Sequence, residues 1–188
     1  MKILFLGTSA GWPLPRLGCD CQICQSKDPR DKRLRPAVLV NDSILIDAPP
    51  DIYHQFINLE VDTTKISALL ITHAHPDHIH GFYDLTHLYN RQIKEPKLIA
   101  PLEVINGLRQ FHSLPLKPFK PEIVRPKTVI EHEKIKISFF PIKHSRIPCY
   151  GIKIKADKIF VYLPDIVRLP RSERKQVRDV HLLVLDGS

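Results

Sequence analysis

The stretch ALLITHAHPDHIHGFYDL, residues 68–85, joins a short apolar run to an unusually dense group of titratable side chains. The opening ALLI is typical of a buried strand, and His73, His75, Asp77 and His78 follow it within one tight loop. Neutral imidazoles and carboxylates are good ligands for zinc-like cations, and such groups stay unsatisfied if they are buried without one. The pattern therefore predicts a metal site where the strand ends. The alternative is a solvated, histidine-rich loop.

The spacing within this loop divides the candidate ligands into two pairs. A loop that leaves a strand can point alternate side chains at one centre, so the two histidines of the HAH stretch can serve one ion. The Asp-His pair that follows can serve a neighbouring ion. His80 and His87 belong to the next predicted helix, and we interpret both as structural or surface residues.

Short segments rich in Ile, Val, Leu and Phe alternate with segments whose apolar residues recur at three- and four-residue spacing. Because predicted strands and helices alternate, the sequence favours the α/β class, and its length of 188 residues favours one domain, residues 1–188. The stretch 113–127, rich in Pro and Lys, is predicted to be an exposed connection. The predicted strands are residues 2–6, 37–40, 43–47, 67–71, 97–100, 134–140, 150–154, 158–163 and 181–186, and the predicted helices are residues 51–59, 80–90, 101–111 and 171–180.

The net charge of +8 fits either a well-solvated surface or attraction to phosphate-bearing substrates or nucleic acid. The basic residues are scattered rather than gathered in a block, so charge alone does not favour the second interpretation. No apolar run is long enough to span a membrane. The start MKILFLG lacks the longer apolar region of a signal peptide and is predicted to be the first strand, which favours a cytoplasmic location.

The stretch HAHPDHIHG resembles the signature of the metallo-β-lactamase-fold hydrolases. Four further stretches occur in the order typical of that family, and together they span nearly the whole chain: FLGTSAGWPLP, ILIDAPPD, FFPIKHS and VYLPD. The resemblance implies an αββα sandwich of two mixed β-sheets flanked by helices, with a metal site at one edge of the sheets. It also implies a hydrolase with two divalent metal ions, zinc or manganese, at the active site.

The resemblance assigns the candidate ligands to two ions. It implies that His73, His75 and His144 hold the first ion, and that Asp77 and His78 hold the second and are the predicted catalytic residues. Taken alone, His144 in PIKHS would be an ordinary core or loop histidine. Its position after a predicted strand, at the expected point in the motif order, makes it a predicted ligand.

Two further aspartates complete the implied site. Asp165 follows the predicted strand KIFVYL and would bridge the two ions, although alone it would be interpreted as a turn residue or a helix cap. Asp47 would lie behind the ligands and orient the metal-binding loop through hydrogen bonds. The alternative for Asp47 is that it closes a turn before Pro49.

The cysteines indicate a second, structural metal site. Cys19, Cys21 and Cys24 form a C-x-C-x-x-C pattern, which in a reducing compartment favours metal over a disulfide and could supply three ligands of a structural zinc. A redox or disulfide role is the alternative. Cys149 is interpreted as a lone, semi-buried thiol. Within the superfamily, this cluster resembles that of the phosphoribosyl cyclic phosphate phosphodiesterases of phosphonate breakdown, and of the related pyrroloquinoline-quinone biosynthesis proteins.

The chain departs from that family after LVLDGS, where relatives carry further elements with a late histidine ligand, a candidate proton donor and the fourth ligand of the structural zinc. His181 precedes a predicted strand and is therefore in the wrong place to be the late ligand. We expect a fragment or truncated domain in which the three-histidine site survives and the second site is one ligand short. An exposed sheet edge would then favour a homodimer or aggregation.

The predicted function is a metal-dependent phosphodiesterase that acts on a small cyclic or diester phosphate. One alternative is a tRNA 3′-processing endonuclease of the same fold, which the opening FLGTSAGWP and the basic charge fit but the cysteine cluster does not. Others are a different hydrolysis at the same site, a metal-binding protein without activity, and a nucleic-acid-binding module, which is not favoured. Lys117 and Lys120 could help to hold a phosphate, but a solvated loop is the preferred interpretation.

Overall fold

Two β-sheets share one hydrophobic core in the computed structural model, which describes residues 1–90, 95–111 and 119–186. The first sheet has six strands in the order β1 to β6, antiparallel from β1 to β3 and parallel from β3 to β6. Its strands are β1 Ile3–Gly7, β2 Ala37–Val40, β3 Ile44–Ile46, β4 Ala68–Leu70, β5 Lys97–Pro101 and β6 Lys120–Val124.

The second sheet has five strands in the order β11-β10-β9-β8-β7, in which only β10 and β11 run parallel. Its strands are β7 Val129–His132, β8 Ile135–Ile142, β9 Cys149–Lys155, β10 Ile159–Leu163 and β11 Leu182–Leu185. Both sheets are mixed and helices accompany them, so the predicted α/β sandwich is confirmed.

Among the described residues, five α-helices lie between the strands: α1 Gln22–Gln25, α2 Ile52–Asn58, α3 Pro76–Ile79, α4 Phe82–Tyr89 and α5 Leu102–Phe111. The same residues include three 3₁₀ helices, Pro29–Asp31, Thr63–Lys65 and Arg171–Val177. In the part of the chain that the structure describes, no helix combines the length and the apolar content needed to cross a bilayer.

The burial pattern explains the sandwich. Every residue of β2, β3 and β4 is buried, as expected for central strands covered on both faces. In β8, by contrast, Ile135, Ile137 and Phe139 belong to the shared core while Lys136 between them is exposed. Phe140, on the opposite face of the strand, is buried in a second, smaller apolar cluster.

Two strands, β6 and β7, were not predicted, and the helix predicted for residues 171–180 is a shorter 3₁₀ helix. β6 and β7 lie in or beside the stretch predicted to be an exposed connection. β6 forms an edge of its sheet, where Pro121 is tolerated although it cannot donate a backbone hydrogen bond. Residues 171–180 form 3₁₀ turns only as far as Val177, because this segment is largely charged and buries few side chains. Lys117 lies outside the described residues.

Four strand ends meet at one edge of the sandwich and bring the predicted site residues with them. Asp47 follows β3, His73 lies three residues past β4, His144 lies two residues past β8 and Asp165 lies two residues past β10. Asp47 and Asp165 both have left-handed backbone conformations, with φ of 62° and 50°. Aspartate tolerates this region better than most residues, and the sharp turn directs each carboxylate away from the strand it follows.

Candidate metal centre

Three histidines from both halves of the chain meet at the end of the sandwich. His73 Nε2 lies 3.0 Å from His75 Nδ1, and His75 Nδ1 lies 3.0 Å from His144 Nε2. His73 is fully buried, whereas the side chain of His144 is 21% exposed, so this group opens to solvent on the His144 side.

Two of the rings also have a hydroxyl partner on the side that faces away from the other histidines, and for His73 this partner shows which nitrogen atom carries the inward lone pair. The Thr72 hydroxyl donates to Asp47 at 2.9 Å, so it accepts from His73 Nδ1–H, 3.0 Å away. His75 Nε2 lies 3.3 Å from the hydroxyl of Ser145. His73 Nε2 is thereby left with a lone pair that faces His75 Nδ1. When the Ser145 hydroxyl accepts from His75 Nε2–H, the Nδ1 lone pair of His75 faces the same place, and a cation there would satisfy both.

Asp165 joins this group to a second one. Its Oδ2 lies 3.3 Å from His73 Nε2 and 3.6 Å from His144 Nε2, and also 3.1 Å from His78 Nε2. Asp77 Oδ2 lies 3.7 Å from the same His78 nitrogen. The structure thus gathers two donor groups that share one carboxylate, and within each group the donor atoms lie within 4.8 Å of one another.

Asp47 is fully buried behind these groups and is held by three donors. The Thr72 backbone N–H and hydroxyl donate to it at 2.9 and 3.0 Å, and His78 Nδ1 lies 2.8 Å from its other oxygen. The contact with Asp47 orients the His78 imidazole so that its Nε2 faces Asp165. Asp47 therefore makes the contacts expected of a residue that orients the metal-binding loop.

Burial and neighbouring charges shift the pKa values of His73 and His78 in opposite directions. Burial lowers the pKa of His73 to about 4, so that ring is neutral at physiological pH. Burial alone would lower the pKa of His78 as well, but the carboxylates of Asp47 and Asp165 raise it to about 10. Burial would raise the pKa of Asp165, yet the neighbouring imidazoles of His73 and His78 hold it well below its ordinary value. This concentration of negative charge around His78 is what a bound cation would neutralise.

The loop after β1 packs directly against this centre. A Cβ atom on Gly11 would lie 2.8 Å from Asp77 Oδ2, so glycine provides the space that this carboxylate needs. Arg35 holds the loop, because its Nε donates to the Gly11 carbonyl at 2.9 Å while its Nη1 pairs with Asp51 at 2.9 Å.

The three cysteines form a separate group around α1. The Sγ atoms of Cys19, Cys21 and Cys24 lie within 4.8 Å of one another, and no disulfide joins them. Cys24 is buried and accepts a hydrogen bond from the Arg16 backbone N–H at 3.4 Å. Hydrogen bonds from its cysteine neighbours lower the pKa of Cys21. Three thiols are three of the four ligands in a Cys₃His structural zinc site.

Four other residues considered from the sequence take no part in either histidine–aspartate donor group. His80 lies against the ring of Phe111, and His87 lies against that of Tyr83. His181 accepts a hydrogen bond from the Ile159 backbone N–H. Cys149 is 3% exposed, and burial raises the pKa of its thiol, which makes it an unreactive core residue.

The sequence offered little signal for the supporting residues. Thr72 and Gly11 lie inside quoted motifs, but nothing in the pattern assigns them a partner. Ser145 follows His144 directly, and only the folded chain shows that its hydroxyl contacts His75. Contacts of this kind depend on tertiary distances, which spacing along the chain does not encode.

Several solved structures share this fold. A diphosphatase of the PhnP family is 28% identical, with a TM-score of 0.83 over 96% of this chain and 71% of that one. The short form of human tRNase Z has a TM-score of 0.72 at 18% identity, over 97% of this chain and 76% of that one. The second of these shows similarity of fold alone.

Curated relatives match by sequence. A protein of Porphyromonas gingivalis named octanoyltransferase is 28% identical over all of this chain and 39% of its own length. A ribonuclease Z of Staphylococcus haemolyticus is 30% identical over 83% of this chain and 50% of its own length. The chain thus spans half or less of the length of these relatives. The family model described as a beta-lactamase superfamily domain matches residues 42–188. The chain therefore belongs to the beta-lactamase superfamily.

Proposed function

We propose that the chain is a metal-dependent hydrolase, and that its reaction is the cleavage of a small cyclic or diester phosphate. The observation that carries the proposal is the shared carboxylate of Asp165, which faces His73 and His144 in one donor group and His78 in the other. Two adjacent cation sites joined by one carboxylate are the arrangement used for hydrolysis of phosphate esters.

The residues would divide as follows. His73, His75 and His144 would hold one divalent ion, Asp77 and His78 would hold the second, and Asp165 would serve both sites. When bound, two such ions supply Lewis-acid stabilisation of charge on phosphoryl oxygens and lower the pKa of water. Zinc and manganese both suit nitrogen and carboxylate ligands, and we propose one of them.

The chain's own residues prepare the site for this chemistry. Burial keeps His73 neutral, and a neutral ring is the form that binds a cation. Asp47 accepts from His78 Nδ1, which leaves Nε2 free to face the site. Asp77, with a side chain 23% exposed, stands at the solvent side of the second donor group, where an incoming substrate would arrive.

We further propose that Cys19, Cys21 and Cys24 hold a structural zinc. Three thiols in mutual reach fit this role, and a metal site of this kind suits a reducing compartment such as the cytoplasm, which we propose as the location. Elemental analysis of the purified protein should therefore find about one tightly held zinc together with about two ions that a chelator removes. A triple Cys→Ser variant that keeps the tight ion would contradict the cysteine site.

Processing of tRNA 3′ ends is the second candidate function. It is favoured by the relatives named ribonuclease Z, one of them 30% identical over 83% of this chain, and by the net charge of +8. Cleavage of a precursor tRNA at its 3′ end separates this activity from hydrolysis of small diesters.

If the chain were instead a nucleic-acid-binding module without activity, it should be retained on heparin, and the retention should fall steeply as the salt concentration rises.

We also propose that the chain forms a homodimer through the exposed edge strand β11. Leu182, Leu183 and Leu185 on this edge strand are 39%, 37% and 52% exposed. Exposed apolar edges favour pairing with another chain. Sedimentation of the protein across a range of concentrations would detect such pairing.

The direct test is hydrolysis of bis(p-nitrophenyl) phosphate with added Zn²⁺ or Mn²⁺. We expect metal-dependent release of nitrophenol, abolished by a chelator and by His73→Ala. His87→Ala is the matched control, because His87 contacts Tyr83 rather than the donor groups, and it should leave activity unchanged. Absence of metal-dependent release from the full protein would contradict the proposal.

A further inference from the structure

Trp12 is the single tryptophan of the chain, and it is 60% exposed. Tryptophan is large and is highly buried on average, so an exposed one contributes no core packing that would explain it. When such a ring faces water on a fixed backbone, its flat apolar surface is available to a ligand.

The position of Trp12 relates it to the metal centre. The residue before it, Gly11, packs against Asp77, whose Oδ2 lies 2.8 Å from the place of a Gly11 Cβ. Consecutive Cα atoms are about 3.8 Å apart, so the Trp12 Cα lies within roughly 8 Å of that carboxylate. The backbone that carries the Trp12 indole therefore lies beside the second donor group.

The backbone that carries the indole is held on two sides. Arg35 donates to the Gly11 carbonyl at 2.9 Å and is itself paired with Asp51 at 2.9 Å, and both of these side chains are largely buried. The hydroxyl of Ser9 donates to the Trp12 carbonyl. A ring on a fixed backbone loses little conformational entropy when it binds a flat partner.

The same loop also faces the shared carboxylate. Thr8 and Ser9 line a cavity of about 200 Å³ that Asp165 also lines. The loop after β1 thus passes from a cavity beside one metal ligand to direct contact with another. A molecule whose phosphate lay at the donor groups would extend along this loop towards Trp12.

We infer that Trp12 is a stacking platform for the nucleobase of a nucleotide phosphodiester whose phosphate lies at the metal centre. This inference rests on the proposed phosphodiesterase function and narrows its substrate class to diesters that carry a base. Stacking suits this task because every base offers a flat π face, and each stacked base contributes substantial affinity. The inference makes Trp12 a residue that selects substrate, and it leaves the cleavage step to the metal centre.

The first test uses Trp12 as its own reporter. With excitation at a wavelength that favours tryptophan, all indole emission comes from this residue. Adenosine 3′-monophosphate added to the zinc-loaded protein should quench the emission saturably, whereas ribose 5-phosphate, which has no base, should not. Unchanged emission at nucleotide concentrations that inhibit hydrolysis of bis(p-nitrophenyl) phosphate would overturn the inference.

The second test separates base recognition from catalysis. Trp12→Ala should raise KM for adenosine 2′,3′-cyclic phosphate about tenfold or more, with kcat nearly unchanged, and Trp12→Phe should restore most of the loss. Tyr53→Ala is the matched control, because Tyr53 is 57% exposed on α2 but makes none of the contacts described for the metal centre. An equal loss for Trp12→Ala on a base-free ribose cyclic phosphate would overturn the inference.

The two tests keep this inference apart from the proposed function. If the protein hydrolyses small diesters but its emission ignores nucleotides, the stacking role fails and the phosphodiesterase stands. If nucleotides quench the emission but no diester is cleaved, Trp12 binds bases and the hydrolase proposal fails.

Discussion

Asp47 shows how one side chain without direct access to solvent can control the site. It is fully buried and fixed by Thr72 on one side and His78 on the other. The stretch ILIDAPPD made Asp47 a candidate in the sequence, with a turn-closing role as the alternative. The contact that distinguishes the two roles spans 31 positions of the chain, from Asp47 to His78, and no local pattern contains it.

The exchange Asp47→Asn should weaken metal binding about 10- to 100-fold. The amide nitrogen that replaces one carboxylate oxygen would donate towards His78 Nδ1, which shifts the ring proton to Nε2 and removes the lone pair that faces the site. Competition with a fluorescent zinc chelator measures the loss. Asp62→Asn is the control, since Asp62 caps an exposed 3₁₀ helix and pairs with Lys65, and this variant should bind zinc as the unchanged protein does.

The exchange Gly11→Ala should affect the site more than the fold. The new methyl group would lie 2.8 Å from Asp77 Oδ2, the end of a side chain that can rotate away, so the free energy of unfolding should change little. Asp77 would then leave the second donor group. We expect a lower occupancy of the second ion in a metal titration and a nearly unchanged melting temperature; a large fall in melting temperature with normal metal content would contradict this.

The sequence predicted the strands around the site that have a buried, apolar pattern. It did not predict two of the strands at the sheet edges. The strands before His73, His144 and Asp165 are buried and apolar, so their pattern identified them. β6 and β7 are edge or near-edge strands with charged and proline residues, and only pairing with a neighbour makes them strands. The strand pattern therefore located the strand ends that carry the donors, whereas the grouping of the donors into two sites came from the family resemblance.

At the scale of elements, Gly81 joins α3 and α4 to the turn after β3. Its N–H donates to the Ala48 carbonyl at 2.9 Å, and a Cβ there would lie 2.3 Å from the Pro49 carbonyl oxygen. Unlike the neighbour of Gly11, this neighbour is backbone and cannot rotate away. Gly81→Ala should therefore lower the free energy of unfolding by about 1–3 kcal/mol, measured in urea. Equal stability of this variant and Gly11→Ala would contradict the comparison.

The 3₁₀ segment Arg171–Val177 is attached to the second sheet through a buried carboxylate. Glu173 is 1% exposed and pairs with Lys127 at 2.7 Å. Burial alone would raise the pKa of Glu173, but Lys127 and Ser172 hold it below its ordinary value. A lowered pKa in the folded state means that this carboxylate stabilises the fold above its unfolded pKa, about 4.3, and that the stabilisation is lost as the pH falls through the folded pKa.

Removing the positive charge of Lys127 should reveal how the stability contributed by Glu173 depends on pH. Lys127→Ala should cost about 1–3 kcal/mol at pH 7, because the buried carboxylate loses its partner, and the cost should shrink as the pH falls below about 4. Urea unfolding at several pH values measures it, with Lys155→Ala, an exposed lysine on β9, as the control. A cost that does not change with pH would show that the pair carries no charge-dependent stability.

The whole molecule places its site at the seam between the two sheets. His73, His75, Asp77 and His78 follow the first sheet, while His144 and Asp165 follow the second. A cation bound there would link the two halves of the sandwich, so metal binding and folding should stabilise each other. This arrangement follows from the order of motifs along the chain, but the distances that define it exist only once both sheets pack.

The central claim is that His73, His75, His144 and Asp165 converge on a divalent cation. Anomalous diffraction at the zinc edge, from crystals of the protein grown with zinc, tests it most directly. We predict a strong anomalous peak bonded to the three imidazole nitrogens and to the Asp165 carboxylate, with a second peak beside Asp77 and His78. No peak among the three histidines, with their rings turned apart, would contradict the account.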